Sequence, residues 1–303
     1  MAQVIHDRRA AQGSERFSDR QDFDADGLNG FDQVHEVFAD LRSQCPVAHS
    51  NDMGGFWMLT KYHDIDAAMS DPELFSTAVQ NVVPPVATTG RRPPLHLDPP
   101  EHTPYRKAIA PLFRQERMQY WGPIVRDIAD RLFRDLPAKG KADICLDYSY
   151  HLPIHVLSEF FMIPPEQASK IREVGADFNK ALQTKDMEGL QKYSMFLYDI
   201  AQAIIDDRKI NLRDPGEDPT SALLVARDAE GDPLPDHLIL GTIRQLLVVG
   251  IIAPTTFLGS AAVHFCRHPE HFKLMQDEPE KIPEIAEELL RLYTPYRGFA
   301  LTP

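Results

Sequence analysis

Residues 246–270 read LLVVGIIAPTTFLGSAAVHFCRHPE, the middle and end of a long helical stretch that runs from about Pro235 to His268. Its longest nearly uninterrupted apolar run, Leu246 to Pro254, is far shorter than the ~20 residues needed to cross a bilayer. Pro254 has no amide for the carbonyl of Gly250, and its ring crowds that turn, so the helix is expected to open between Gly250 and Ala253. Upstream, residues 96–113 read HLDPPEHTPYRKAIAPLF. Asp98 can accept from first-turn amides, Pro99 needs no donor there, and Glu101 completes an acidic capping arrangement, which predicts a helix from Pro99. His102 and Arg106 then stand four apart on one face, where they could clamp an anion or simply be solvated. Downstream, EIAEELLRLY turns Ile285, Leu289 and Leu292 to one side and sets Glu288 three residues before Arg291, a spacing common in exposed ion pairs.

Between these segments the chain reads as helices joined by turns. DQVHEVFADLRS spaces Val34, Val37, Phe38 and Leu41 helically, Gly54-Gly55 leads into a strand at FWMLT, and KYHDIDAAMSDPELFS is a short helix closed at Asp71-Pro72. VQNVVPPVATTGRR is a loop, and QYWGPIVRDIADRLFRDL, YHLPIHVLSEFFM and LQKYSMFLYDIAQAIIDDRK are helices with core-facing stripes. The pattern weakens over GADFNKALQTKD. Residues 1–30 are polar and aperiodic and predict a mobile arm, leaving 31–303 as a single domain.

Lysine and arginine total 32 against 45 acidic residues, a net charge of -13 that disfavours nucleic acid as a partner. The amino terminus lacks an apolar signal core, so neither export nor a membrane is expected and the location predicted is cytoplasmic. Cys45, Cys145 and Cys266 are odd in number and widely spaced, which suits a reducing compartment and buried or inert thiols rather than a metal site within 1–303.

In this order and spacing, H-L-D-P-P-E-H-T-x-x-R, the long helix that carries Gly250 and ends in R-H-P-E, and E-x-x-R resemble the cytochrome P-450 family, soluble bacterial type. The resemblance covers the chain from about residue 31 to its end. It implies a mostly α, helix-rich triangular prism with a small β region, whose carboxyl-terminal part is absent here because no F-x-x-G-x-x-x-C-x-G loop follows; the cysteine ligand is expected downstream. It implies haem b, electrons from NAD(P)H through a ferredoxin or flavodoxin-type donor and its reductase, and insertion of one oxygen atom into a small hydrophobic, aromatic or terpenoid substrate. By resemblance, His102 and Arg106 bind a haem propionate. The second propionate contact is in doubt, because Leu301 stands where an arginine is usual and Arg297 is the nearby cation. Glu288 and Arg291 brace the proximal side. Gly250 lets oxygen and substrate approach the long helix. Ile252 and Ala253 replace the acid and threonine that relay protons, so Ala253 marks the reacting position, and Thr256, one turn on, is a better substitute than Thr255 unless it back-bonds to its own helix. The implied pocket is lined by Val82, Val83, Val86, Phe178, Ala181, Leu182, Leu247, Ile251, Ile252, Tyr296 and Phe299. Arg91 or Arg92 could meet a carboxylate, though surface positions are expected for both.

Two alternatives remain open on these residues. One is a haem enzyme of the same fold that uses peroxide or performs an isomerisation or dehydration, which loss of the acid and alcohol favours. The other is a haem-free, non-catalytic remnant.

Overall fold

The structure is a computed structural model. It describes residues 33–79, 90–136, 140–164, 167–168, 170–171, 186–295 and 300–302. The arm expected over 1–30 therefore lies outside the described residues. The chain divides into two compact units, Met1–Thr88 with Gly298–Pro303, and Thr89–Arg297.

In the first unit α1 (Gln33–Gln44) buries Leu41 and packs Val34, Val37 and Phe38 against Ala48, Phe56 and Met58. Those partners belong to an antiparallel pair, β1 (Val47–Ser50) and β2 (Phe56–Leu59), registered from Val47 opposite Leu59 to Ser50 opposite Phe56. Gly54 and Gly55 turn between them at φ +93° and +88°, a region side chains resist. Helix α2 (Tyr62–Met69) follows, and Ser76 and Thr302 exchange backbone hydrogen bonds of 2.8 and 2.9 Å.

The second unit is helical. It comprises α3 (His102–Ile109), α4 (Gln115–Arg134), α5 (His151–Phe160), α6 (Met187–Ile210), α7 (Pro219–Val225), α8 (Asp236–Arg267), α9 (Pro269–Asp277) and α10 (Ile282–Leu292). Helix α8 is the hub: α5, α6, α7, α9 and a π-turn at Cys145–Ser149 all pack on it. Ile239, Ile243, Leu247 and Ile251, four residues apart, form the stripe it contributes to the main core, alongside Leu197, Ile204 and Ile205 of α6.

Two expectations are corrected. Helix α3 begins at His102, not Pro99, and its cap residue Glu101 makes no side-chain capping bond. The cause is Pro100: a residue preceding proline is pushed out of the helical region, so Pro99 cannot start a helix. Helix α8 does not open at Gly250–Ala253 but runs unbroken through Pro254. One lost amide is outweighed by the intact turns on either side and by packing on α5 and α6.

Packing of this helix depends on a glycine that the sequence did not single out. A Cβ on Gly241 would lie 2.1 Å from the Arg91 carbonyl oxygen, because the strand of chain entering α3 crosses α8 there. Arg208 and Asp218 tie the far ends together. Asp218 is fully buried, caps α7 by accepting from the Ser221 amide at 2.7 Å, and stands 3.4 Å from Arg208 Nε, while Arg208 donates to the Phe161 carbonyl at 2.8 Å. At the other end of α8, buried His264 lies 2.8 Å from the Tyr293 hydroxyl and 2.9 Å from His271 Nδ1, with the ring of His268 against it.

Gly241→Ala is expected to cost about 2–3 kcal/mol, since backbone cannot turn aside. Gly250→Ala should cost less, because the atom its Cβ meets, 2.8 Å away, ends the Leu157 side chain. Calorimetric melting of the two variants checks this, and equal losses would contradict it. Burial, then the neighbouring His268 and His271, hold His264 below its ordinary 6.5, against a smaller upward pull from Glu270. The unfolded chain thus takes up the extra proton as pH falls through 6.5, and folded stability drops there. His264→Gln should be less stable at pH 8 yet show a shallower loss between pH 7.5 and 5.5.

Candidate functional site

Residues on a helix return to the same face at three, four, seven, eight and eleven positions. In α8 this groups Gln245, Val249, Ile252, Ala253 and Thr256 into one stripe. All are half-buried except Thr256, which is exposed, whereas the stripe with Ile243 and Leu247 is sealed in the core. The second half of α8 thus presents an apolar, partly uncovered surface. By length and composition α8 is also the one described helix that could cross a membrane, but only 17% of its most apolar window is covered within the structure. A flat apolar group fits such a stripe.

Leu247 and Ile251, expected in the pocket, are instead core residues at 0% and 3% exposure, because the four-residue spacing carries them to the α5 and α6 side. Ile252 and Ala253 do face the open stripe, and Thr256 shares it one turn on. The expected back-bond is not made at Thr255, whose hydroxyl is buried without a hydrogen-bond partner, and none is recorded for Thr256. Gly250 directs its side-chain position at Leu157 of α5, so the approach it permits is that of a packed helix.

On α3, His102 is half-buried and Arg106 exposed, on one face and close enough to influence each other. Burial first, and then Arg106, lower the His102 pKa; Asp98 acts in the opposite sense. No described residue pairs with the Arg106 guanidinium. This pair fits an incoming carboxylate such as a haem propionate: one permanent cation and one neutral donor, neither committed to a protein acid. Glu288 and Arg291 form a two-pronged pair at 2.7 Å on the exposed side of α10, while Leu289 is buried beneath.

No described cysteine is arranged as an iron ligand. Cys145 packs its sulfur against α8 at Gly259, and burial followed by Asp143 pushes its thiol pKa up, away from a thiolate. Cys266 is exposed at the end of α8, and Cys45, in the first unit, donates weakly to the Val47 carbonyl. Val82, Val83, Val86, Phe178, Ala181, Leu182, Tyr296, Arg297 and Phe299 lie outside the described residues.

The sequence reading missed a second set of groups. Arg244, on α8, is 6% exposed and donates to the Ser194 hydroxyl of α6 at 2.8 Å, with its guanidinium 5.5 Å from the Tyr198 ring centre. His96 and Arg92 stand close by, and Arg92, expected at the surface, has its Nε buried. The available signal was a lone arginine within a run of apolar positions, between Ile243 and Leu247.

The second unit is thus a helical fold whose longest helix leaves an apolar stripe partly uncovered and whose α3 carries a His-Arg pair with no described acid as partner. No protein-family model matches the chain. It is 28% identical over 269 residues to the vitamin D(3) 25-hydroxylase of Pseudonocardia autotrophica, covering 86% of this chain and 64% of that protein. It is 30% identical over 269 residues to the nocardicin C N-oxygenase of Nocardia uniformis subsp. tsuyamanensis, covering 85% and 65%. The crystal structure of the LnmA cytochrome P450 hydroxylase from the leinamycin biosynthetic pathway of Streptomyces atroolivaceus matches with a TM-score of 0.70 at 27% identity, over 89% of this chain and 67% of that one. The chain belongs to the cytochrome P450 family, among bacterial members. It spans just under two thirds of the length of the two curated relatives, 64% and 65%.

Replacing His102 and Arg106 together with alanine in the complete protein should lower haem retention on gel filtration several-fold while circular dichroism stays helical. Each contact is partly open to solvent, so about 1 kcal/mol or less is expected per residue. Unchanged retention would leave the pair as a solvated face.

Proposed function

We propose that the complete protein is a haem-dependent monooxygenase that inserts one oxygen atom from dioxygen into a small hydrophobic, aromatic or terpenoid molecule, by hydroxylation or oxidative dealkylation. The observation that carries this reading is the partly uncovered stripe Val249, Ile252, Ala253, Thr256 on a helix whose other side, with Ile243, Leu247 and Ile251, is buried in the core, in a chain whose relatives include a hydroxylase and an N-oxygenase. His102 and Arg106 would hold one propionate of haem b, with Arg297 the nearby cation for the second in place of the arginine that Leu301 replaces. The cysteine ligand is proposed to lie outside residues 1–303, given the surroundings of Cys145 and Cys266. Bound through a thiolate, haem supplies reductive activation of dioxygen. The electrons would come from NAD(P)H through a ferredoxin or flavodoxin-type donor and its reductase, in the cytoplasm.

The chain's own residues then decide how protons reach the reaction. Ile252 and Ala253 have no side-chain proton to give. Pro254 leaves the Gly250 carbonyl without its helical donor, so that oxygen can accept from one bound water. The Thr256 hydroxyl, on the same face one turn from Ala253, can pass a proton to or from such a water. Glu288 and Arg291 act as a brace and take no part in the chemistry. Loss of the acid-alcohol pair also favours a second reading, a same-fold enzyme that uses peroxide or needs no oxidant.

Spectra and turnover of the complete protein separate these. A reduced carbon monoxide complex absorbing at the thiolate position should form with the complete protein and be absent with residues 1–303 alone. Product should require reductant and oxygen. Ile252→Asp with Ala253→Thr should change the fraction of electrons recovered in product, with activity partly kept. Wild-type product formed with peroxide alone, and none with reductant, would overturn the monooxygenase assignment.

A further inference from the structure

Among the described residues of the second unit two arginines are buried, and they are satisfied differently. Arg208, 3% exposed, has Asp218 at 3.4 Å, its neighbour Asp207, and the Phe161 carbonyl. Arg244, 6% exposed, has no carboxylate among the described residues. Its contacts are one hydroxyl, of Ser194, and the ring of Tyr198; its Nε, like that of Arg208, is buried without a hydrogen-bond partner, so the missing carboxylate is what distinguishes it. The surroundings add positive charge instead of removing it. Arg92 acts on Arg244 as a like charge, and Arg92, Arg244 and Arg91 all act on half-buried His96. Arg92 also has a buried Nε without a partner, as does the Oε1 of the adjacent Gln245. Tyr198 and Tyr193 act on Arg244 in the favourable sense, though less than burial and Arg92 act against it, and burial raises the Tyr193 phenol to about 12, so Tyr193 is a neutral hydroxyl at pH 7. Burial and Arg92 lower Arg244 only to about 10, so it remains a cation at neutral pH.

Gathering buried guanidinium groups without a counter-charge is costly, and a planar fork with open donors is the arrangement that takes a carboxylate in two-pronged fashion. The walls are held firmly. Residues 90–92 lie against α8 at Gly241, and Gly90 lies against the Tyr198 hydroxyl at the middle of α6. Gln245, next to Arg244, begins the open stripe. Ala253 is eight residues beyond Gln245 on that stripe, about 12 Å along the axis at ~1.5 Å per residue, whereas Arg244 leaves the helix on another side.

We propose that Arg244, together with Arg92 and His96, is the recognition site for the carboxylate of the substrate, so that this protein acts on hydrophobic organic acids. The word substrate rests on the oxygenase reading above; the site itself does not. Arg244 and Arg92 are charge-bearing anchors, and His96, held neutral mainly by burial, offers a further donor.

The test uses the complete, haem-loaded protein and isothermal titration at pH 7.5 with two matched pairs: dodecanoate against dodecanamide, and 4-phenylbutanoate against 4-phenylbutanamide. At least one acid should bind about tenfold or more tightly than its amide. Arg244→Gln should bring that ratio close to one, Arg244→Lys should keep part of it, and Arg92→Gln should reduce it. Equal affinities within both wild-type pairs, no binding of either acid at millimolar concentration, or an unchanged ratio in Arg244→Gln would each overturn the proposal. So would loss of haem from Arg244→Gln with its helical content intact, since the anion would then be a haem propionate. If Arg244→Gln does not fold, the ratios of Arg244→Lys and Arg92→Gln decide, and wild-type values in both reject the site. Failure of the oxygenase reading is separable: it appears as a missing thiolate-type carbon monoxide spectrum, while acid selectivity is read by heat alone.

Discussion

An apolar helix of 32 residues cannot stand alone in water, and α8 must be covered along most of its circumference. Its first half is: Ile239, Gly241, Thr242, Ile243, Arg244 and Leu247 point in nearly every direction and all are buried. Around its second half burial narrows to one side, Ile251 and Gly259 inward, with Thr256 outward. The arrangement of α5, α6 and α7 follows from this unequal cover. At roughly 25 cal/mol per Å² of apolar surface, leaving a stripe such as Val249, Ile252 and Ala253 partly wet is a standing cost that a bound apolar group would remove. The core of the second unit and its site are therefore two sides of the same element.

Much of this could be read from the sequence wherever periodicity and punctuation agreed. The bounds of α8 were expected within a residue, because Pro235 and the His268-Pro269 step are strong signals. Spacing alone put His102 with Arg106 and Glu288 with Arg291 on shared helix faces, as the structure has them, while their roles came only from the resemblance. What sequence could not reveal was which side of α8 faces the core. Leu247 and Ile252 are equally apolar, and only the positions of α5 and α6 distinguish core from open stripe. The pair β1–β2 was half seen: FWML has the composition of a strand, while VAHS does not, and it pairs because the Gly54-Gly55 turn returns the chain beside it. Arg244 was passed over because a single charge inside an apolar run carries no period, and its meaning depends on neighbours from α6 and from residues 92–96.

The net charge of -13 and the cationic group around Arg244 act over different ranges. Surface carboxylates are screened beyond about 8 Å at physiological salt, whereas charges sunk between α6 and α8 are screened much less. An acidic protein can therefore keep a local preference for anions. It does so with guanidinium groups, which stay charged when buried, and not with lysines, which would tend to lose the proton.

The two hydrogen bonds between Ser76 and Thr302 bring together residues near opposite ends of the described chain, inside a unit otherwise made from residues before Thr88. During synthesis the amino-terminal segment emerges first, yet this bridge must wait until residue 302 has left the ribosome. Helix α1 and the β1–β2 pair can form early because their contacts are local, while the ribosome is still translating the helices of the second unit. Closure of the first unit thus waits for the whole of the second, and premature termination anywhere in α3 to α10 would release a polypeptide lacking that bridge.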